Sequence, residues 1–171
     1  MKILIISLPR TGSNFLMKKY STEYNLEMIG EPFNPINNKT NIDLENSDNI
    51  VVKTIINQIP NNEINPIDFY NNFSKKFDKT ILLSRKDKKQ CAESLAFLNY
   101  NEKNGFKYND EYTWHWTPNI EESKKFIKNC DDLLSNLSNI LKIDIIYYED
   151  IFDLNSQNRL RKGNIKPNKI I

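Results

Sequence analysis

Near the start of the chain, Pro9-Arg10-Thr11-Gly12-Ser13-Asn14 gathers a permanent cation, two hydroxyls, an amide and a glycine into one short stretch. That set suits a tetrahedral oxyanion such as phosphate or sulfate. Arg10 brings charge in a fork geometry. Thr11, Ser13 and Asn14 bring donors, and Gly12 allows close backbone approach or unusual dihedrals. An apolar run precedes the stretch and a helix-like pattern follows it, so unpaired N–H groups and the dipole of a helix start would favour the same anion. The Gly-Lys-Ser/Thr ending that holds a nucleoside triphosphate with magnesium is missing. A plain strand-to-helix turn with Ser13 as N-cap is the simpler reading of these residues.

A second group follows Ile81-Leu82-Leu83-Ser84. Arg85 stands at the end of that run, and Ser94 lies further on in a helical pattern. The two would clamp a phosphate between a strand end and a helix face. The competing reading is a solvated basic helix start, with Asp87 as its cap. Transfer to an acceptor hydroxyl also needs a base, commonly a carboxylate or His. Glu31, held in Gly30-Glu31-Pro32, is the first candidate, and a loop-ordering salt bridge with Arg10 or Lys53 is its alternative role. His115, the single His, is the second candidate, flanked by Trp114 and Trp116. The stretch Tyr112 to Trp116 would stack on sugar rings or other flat acceptors. Lys53 ends the run Ile50-Val51-Val52 and would neutralise a transferring anionic group. Glu149 and Asp150 read as braces of a strand end.

These groups need elements to position them. Ile3–Ser7, Met28-Ile29, Ile50–Thr54, Thr80–Ser84 and Ile143–Tyr148 read as strands, and the runs within them are apolar enough to be buried on both faces. Helical patterns occupy Asn14–Tyr24, Ile67–Phe77, Lys88 to about Tyr100, and Ile120–Leu141. The last carries Ile120, Phe126, Ile127, Cys130, Leu133, Leu134 and Leu137 as an apolar stripe. Residues 101–118 read as a surface loop or lid, and the segment from Arg159 to Lys169 as a basic tail. Alternating strands and helices predict a layered α/β fold with a mainly parallel sheet. In such sheets ligands bind beyond the carboxyl ends of the strands, which is where Arg10, Glu31, Lys53, Arg85 and Tyr148 fall.

The 171 residues fit one domain spanning 1–171. A net charge of +2 argues against nucleic acid and an acidic membrane as partners. Cys91 and Cys130 lie far apart, without metal-ligand spacing, and read as buried free thiols of a reducing compartment. No metal is expected. No apolar run approaches the roughly 20 residues of a membrane span, so a cytoplasmic location is expected.

In combination, these motifs resemble the PAPS-dependent sulfotransferase family. PRTGSNFL resembles the loop that holds the 5′-phosphosulfate, and SRKDKKQCAESL resembles the 3′-phosphate segment, in a form similar to that of bacterial carbohydrate sulfotransferases. Gly30-Glu31-Pro32, Val52-Lys53 with Asn57-Gln58, Tyr147-Tyr148-Glu149-Asp150-Ile151 and Arg161-Lys162-Gly163 resemble further family segments, in the family's order. The resemblance implies a three-layer α/β/α, P-loop NTPase-like fold. It also implies transfer of a sulfuryl group from 3′-phosphoadenosine 5′-phosphosulfate (PAPS) to an acceptor hydroxyl of a small molecule or glycan, leaving the 3′,5′-bisphosphate PAP. Arg10, Thr11, Gly12, Ser13 and Asn14 would cradle the phosphosulfate, and Arg85 and Ser94 the 3′-phosphate. Tyr148 would lie against adenine or ribose, and Arg161, Lys162 and Gly163 would close over the 3′-phosphate. The carbohydrate branch places a Glu, thought to be its base, where this chain has Asn34. The rival readings are a P-loop kinase-like phosphotransferase and a non-catalytic nucleotide-binding module.

Overall fold

The computed structural model describes residues 1–34, 44, 47–60, 64–103 and 120–151. Five strands, β1 (Lys2–Ser7), β2 (Glu27–Gly30), β3 (Ile50–Ile55), β4 (Lys79–Ser84) and β5 (Ile145–Tyr147), form one sheet in the order β2-β3-β1-β4-β5. Every pairing is parallel. β1 is central because its residues can be covered on both sides. Ile3, Leu4, Ile5 and Ile6 are all 0% exposed, and no polar side chain interrupts them. The register sets Ile5 opposite Lys53 on one side and Ile81 on the other.

The helices are α1 (Ser13–Tyr24), α2 (Pro66–Phe73), α3 (Lys88–Lys103), α4 (Glu121–Leu141) and the short α5 (Tyr148–Ile151). The strand period of two sorts them into layers. Leu4, Ile6, Val52 and Leu82 pack with Tyr70 and Phe73 of α2 and with Cys130, Leu134 and Leu137 of α4. Ile3, Ile5, Val51, Ile81 and Leu83 point the other way, onto Leu16 of α1 and Tyr148 of α5. α3 docks on α4 through Cys91, Ala92 and Ile127. The result is the expected three-layer α/β/α fold around a parallel sheet, with all five carboxyl strand ends at one edge.

Local sequence explains most element boundaries. Asn65 Oδ1 accepts from Ile67 N at 2.8 Å and Pro66 opens α2, a pairing that meets one orphan N–H and needs no other at the proline. Asp87 Oδ1 accepts from Gln90 N at 2.9 Å and caps α3. Three expectations shift. α2 ends at Phe73 and continues as a 3₁₀ turn, Ser74–Lys76, where the Ser74 hydroxyl bonds back to Asn71 O and so competes with the helical pattern. β5 is shorter than predicted, and Tyr148 opens α5 instead of closing the strand. Phe126 is 38% exposed, while Ser123 takes its place in the buried stripe of α4. Cys91 and Cys130 are free and buried, and burial pushes their thiols up to about 11 and about 12. No helix among the described residues is long and apolar enough to cross a membrane.

Candidate functional site

The β1–α1 turn is built around two left-handed residues. Arg10 has φ 63° and Gly12 φ 74°. The Thr11 side chain is fully buried and its hydroxyl donates to Leu8 O at 2.9 Å, which closes the turn from inside. α1 then starts at Ser13 with Gly12 as its N-cap and no side-chain cap hydrogen bond. Ser13 is therefore not the cap. The first amides of α1 begin without the side-chain oxygen that normally satisfies one of them, and this end of the helix carries positive partial charge.

The turn leans on α3 and α5. Arg10 Nε donates to Ser94 Oγ at 2.8 Å. Arg85 Nη1 donates to the Arg10 carbonyl at 3.4 Å, and the Cys91 thiol lies 3.7 Å from the same oxygen. The two groups of residues read separately from the sequence are thus one connected cluster. Arg85 is further held by Gln90 Oε1 through Nη2. Its guanidinium carbon lies 5.0 Å from the centre of the Tyr148 ring, within cation–π range. Its Nε is buried without a hydrogen-bond partner among the described residues and lies 3.5 Å from Glu149 Oε1, an ion-pair separation. Tyr148 is 3% exposed and its ring edge rests on Gly12. A Cβ added there would meet Tyr148 Cε2 at 2.5 Å. In this structure Tyr148 packs against the turn, with Arg85 beside its ring.

Glu149 accepts from Lys86 N at 2.9 Å and Asp87 N at 3.3 Å. Burial alone would raise its pKa, but these backbone bonds and the charge of Arg85 lower it. Glu149 thus braces the entry to α3, and Lys86 pairs with Asp150 beside it. Both fit the bracing role read from the sequence.

A second cluster closes the ends of β2 and β3. Lys53 is 3% exposed and donates to Glu31 Oε1. Gln58 Nε2 and Asn34 Nδ2 donate to Glu31 Oε2 at 2.8 and 3.0 Å. Burial raises the Glu31 pKa, yet the hydrogen bonds from Gln58, Lys53 and Asn34 and the charge of Lys53 outweigh it, and the net shift is downward. Such a carboxylate is ionised at neutral pH but has less drive to accept a proton. Of its two possible ion-pair partners, Glu31 takes Lys53. Its backbone is also left-handed, with φ 49°. The other positive-φ residues that are not glycine include Asn25 and Lys142, which are helix C-caps. Arg10 and Glu31, by contrast, follow the carboxyl ends of β1 and β2.

Two of the roles here were not visible in the sequence. Gln90 as a partner of Arg85 had only one signal, its place in the first turn after the Asp87 cap. Asn34 as a donor to Glu31 follows from its position three residues on in a Pro-flanked turn. His115, Arg161, Lys162 and Gly163 lie outside the described residues.

No protein-family model matches the chain, and no curated protein sequence matches it. Among solved structures, the chain is similar to a deoxyadenosine kinase from M. mycoides with bound dATP, at 19% identity and TM-score 0.49, covering 95% of this chain and 97% of that one. It is also similar to a de novo designed protein of P-loop NTPase fold, solved by solution NMR, at 18% identity and TM-score 0.29, covering 81% of this chain and 96% of that one.

Proposed function

We propose that the chain is a PAPS-dependent sulfotransferase that moves a sulfuryl group from PAPS to a carbohydrate hydroxyl. The observation that carries this reading is the junction of the β1–α1 turn with the β4–α3 segment. Arg10 reaches Ser94, and Arg85 reaches the Arg10 carbonyl. A donor with phosphates on the 3′ and 5′ oxygens of its ribose needs cationic groups close together, and the proximity of Arg10, Ser94 and Arg85 supports that reading. Arg10, Thr11, Gly12, Ser13 and Asn14 would hold the phosphosulfate at the start of α1, and Arg85 with Ser94 the 3′-phosphate. Arg161, Lys162 and Gly163 would add to the latter.

In the transfer, the acceptor oxygen forms a bond to sulfur as the bond from sulfur to the phosphate oxygen breaks. The acceptor proton passes to a base. Arg10 would meet the charge growing on the leaving oxygen, where preorganised donors act most strongly. An ammonium has three donors, so Lys53 can meet Glu31 and a sulfonate oxygen together. Glu31 and His115 are the base candidates, and Glu31 is ready-ionised at the right edge.

Two other readings each have an observation behind them. The strand order, with the turn after the central strand, equally suits a kinase-like phosphotransferase. The tethering of Glu31 by three donors suits a nucleotide-binding module without turnover. Transfer of ³⁵S from labelled PAPS to a panel of saccharides separates the three. The sulfotransferase reading expects labelled saccharide, and a loss of about 100-fold or more in Arg10→Ala, the scale for one oxyanion donor. Transfer of the γ-phosphate of magnesium ATP without sulfuryl transfer would replace it with the kinase reading. Tight PAP binding with no label moved would replace it with the binding module.

A further inference from the structure

The Glu31–Lys53 pair is held from behind by a residue of α2 that no motif singled out. Tyr70 is 0% exposed. Its hydroxyl meets Thr54 Oγ1 at 2.8 Å and donates toward Ile55 O at 3.0 Å and Gln58 O. One phenolic proton serves the carbonyls while the oxygen is free to accept from Thr54. The hydroxyl therefore fastens the turn that follows β3 to the core helix beneath it. Within that turn Gln58 N donates to Ile55 O at 2.8 Å. The Gln58 amide is oriented by the same turn: its Oε1 accepts from Ile55 N at 3.3 Å. Flipping the amide would set an N–H against the Ile55 N–H, so the Nε2 donor is fixed on the Glu31 side. The chain of contacts runs from the buried phenol to the turn, from the turn to the amide, and from the amide to the carboxylate that holds Lys53.

We propose that Tyr70 and Gln58 are positioning residues for the Glu31–Lys53 pair, so that a ligand at the sheet edge meets the ammonium and the carboxylate as one fixed unit. The cost of a mobile pair shows why this matters. A lysine side chain forfeits much of its rotamer freedom when it is fixed. Here that loss is met during folding and not on ligand binding, and groups fixed in advance bind more tightly. The inference deepens the proposed role of Lys53 and rests on the reading of this edge as the working one. Its test does not depend on that reading.

Among the described residues, the charged group bonded to Glu31 is Lys53, from β3. Asn34 and Gln58 present neutral amides from the turns after β2 and β3. The side-chain carboxyl ¹³C resonance of Glu31 is followed against pH in the full-length chain, without nucleotide, for wild type, Tyr70→Phe, Gln58→Met and the double variant. Tyr70→Phe keeps the ring in the core and removes only the hydroxyl. Gln58→Met keeps the length and removes the donor. The titration midpoint should move upward in Gln58→Met and move upward by a smaller step in Tyr70→Phe. The double variant should titrate like Gln58→Met, because Tyr70 acts through Gln58. A Tyr70→Phe variant that melts earlier but titrates Glu31 as wild type does has a structural tyrosine only, and overturns the proposal. So do additive shifts in the double variant, or an unmoved midpoint in Gln58→Met. None of these outcomes depends on whether the donor is PAPS, so the pairing can fail while the sulfotransferase reading stands, and the reverse.

Discussion

Gly12→Ala tests the contact on which the β1–α1 turn is built. Two separate costs follow from the structure. The residue sits at φ +74°, a conformation that costs an L-residue roughly 1–2 kcal/mol. The new methyl would also lie 2.5 Å from Tyr148 Cε2 and 2.7 Å from Cδ2, and relieving such overpacking costs about 1–3 kcal/mol. Tyr148 cannot swing away cheaply, because it is 3% exposed and Arg85 lies beside its ring. The sum is about 2–5 kcal/mol, a large share of the 5–15 kcal/mol typical of a folded domain. At roughly 2–4 °C per kcal/mol for this chain length, the melting midpoint should fall by about 4–20 °C. Urea unfolding followed by circular dichroism measures the loss, and a cycle with Tyr148→Val divides it. Valine ends at its γ-carbons and removes the ring atoms that meet the new methyl. In that background Gly12→Ala should cost only the roughly 1–2 kcal/mol of backbone strain, which leaves a coupling of about 1–3 kcal/mol. Equal losses in the two backgrounds would refute the close approach of Tyr148 to the turn. A loss below about 0.5 kcal/mol would refute the left-handed glycine as well.

Arg10→Gly should separate stability from binding. It relieves a left-handed non-glycine residue while losing the bond to Ser94, so denaturation should shift by less than about 1 kcal/mol, whereas PAP affinity measured by calorimetry should collapse. Glu31 and Glu149 both sit below the ordinary carboxylate pKa when folded and return to about 4.3 when unfolded. Their contribution is therefore complete above that pH and is lost as pH falls through the folded values. Urea midpoints measured from pH 7 down to pH 3 should show this loss, and Glu31→Gln should be weaker at pH 7 with a flatter acid limb. Cys91 and Cys130, raised by burial to about 11 and about 12, should not react with a thiol-disulfide reagent at pH 8 until the chain is unfolded, when both should titrate at once.

The fold was legible because its strands are short apolar runs with no competing pattern. Ile3 to Ser7 and Thr80 to Ser84 have nowhere to go but the middle of a parallel sheet, and their neighbours are set by the alternation of helices. Strand ends were legible at Ser84, where Arg85 follows the apolar run directly, but not at Lys53, which breaks its run and yet lies inside β3, two residues before the strand ends at Ile55. Arg85 with Ser94 shows the limit of this. Sequence spacing paired them over one phosphate, while the structure gives Ser94 to Arg10 and gives Arg85 to the Arg10 carbonyl, Gln90 and the Tyr148 ring. Nothing in the spacing of residues 85 to 94 encodes where a turn 75 residues earlier will lie. Tyr148 was placed correctly at the edge but read as the last residue of a strand. Its local run of β-branched and aromatic residues gives no hint that the helix starts there. Tyr70 was invisible as more than a core aromatic, because its role depends on carbonyls of the turn above it and not on its neighbours in α2.

On the proposed reading, the β1–α1 turn and the β4–α3 segment form one site for a nucleotide bearing both 5′ and 3′ phosphates. Isothermal titration of PAP and of adenosine 5′-phosphate into wild type, Arg10→Ala and Arg85→Ala tests it most directly. Two added charge-assisted hydrogen bonds, each about 1.5–3 kcal/mol, predict a preference for PAP of about 100-fold or more in wild type, and loss of that preference in Arg85→Ala. Equal affinity for the two nucleotides, or PAP binding unchanged in both variants, would contradict it.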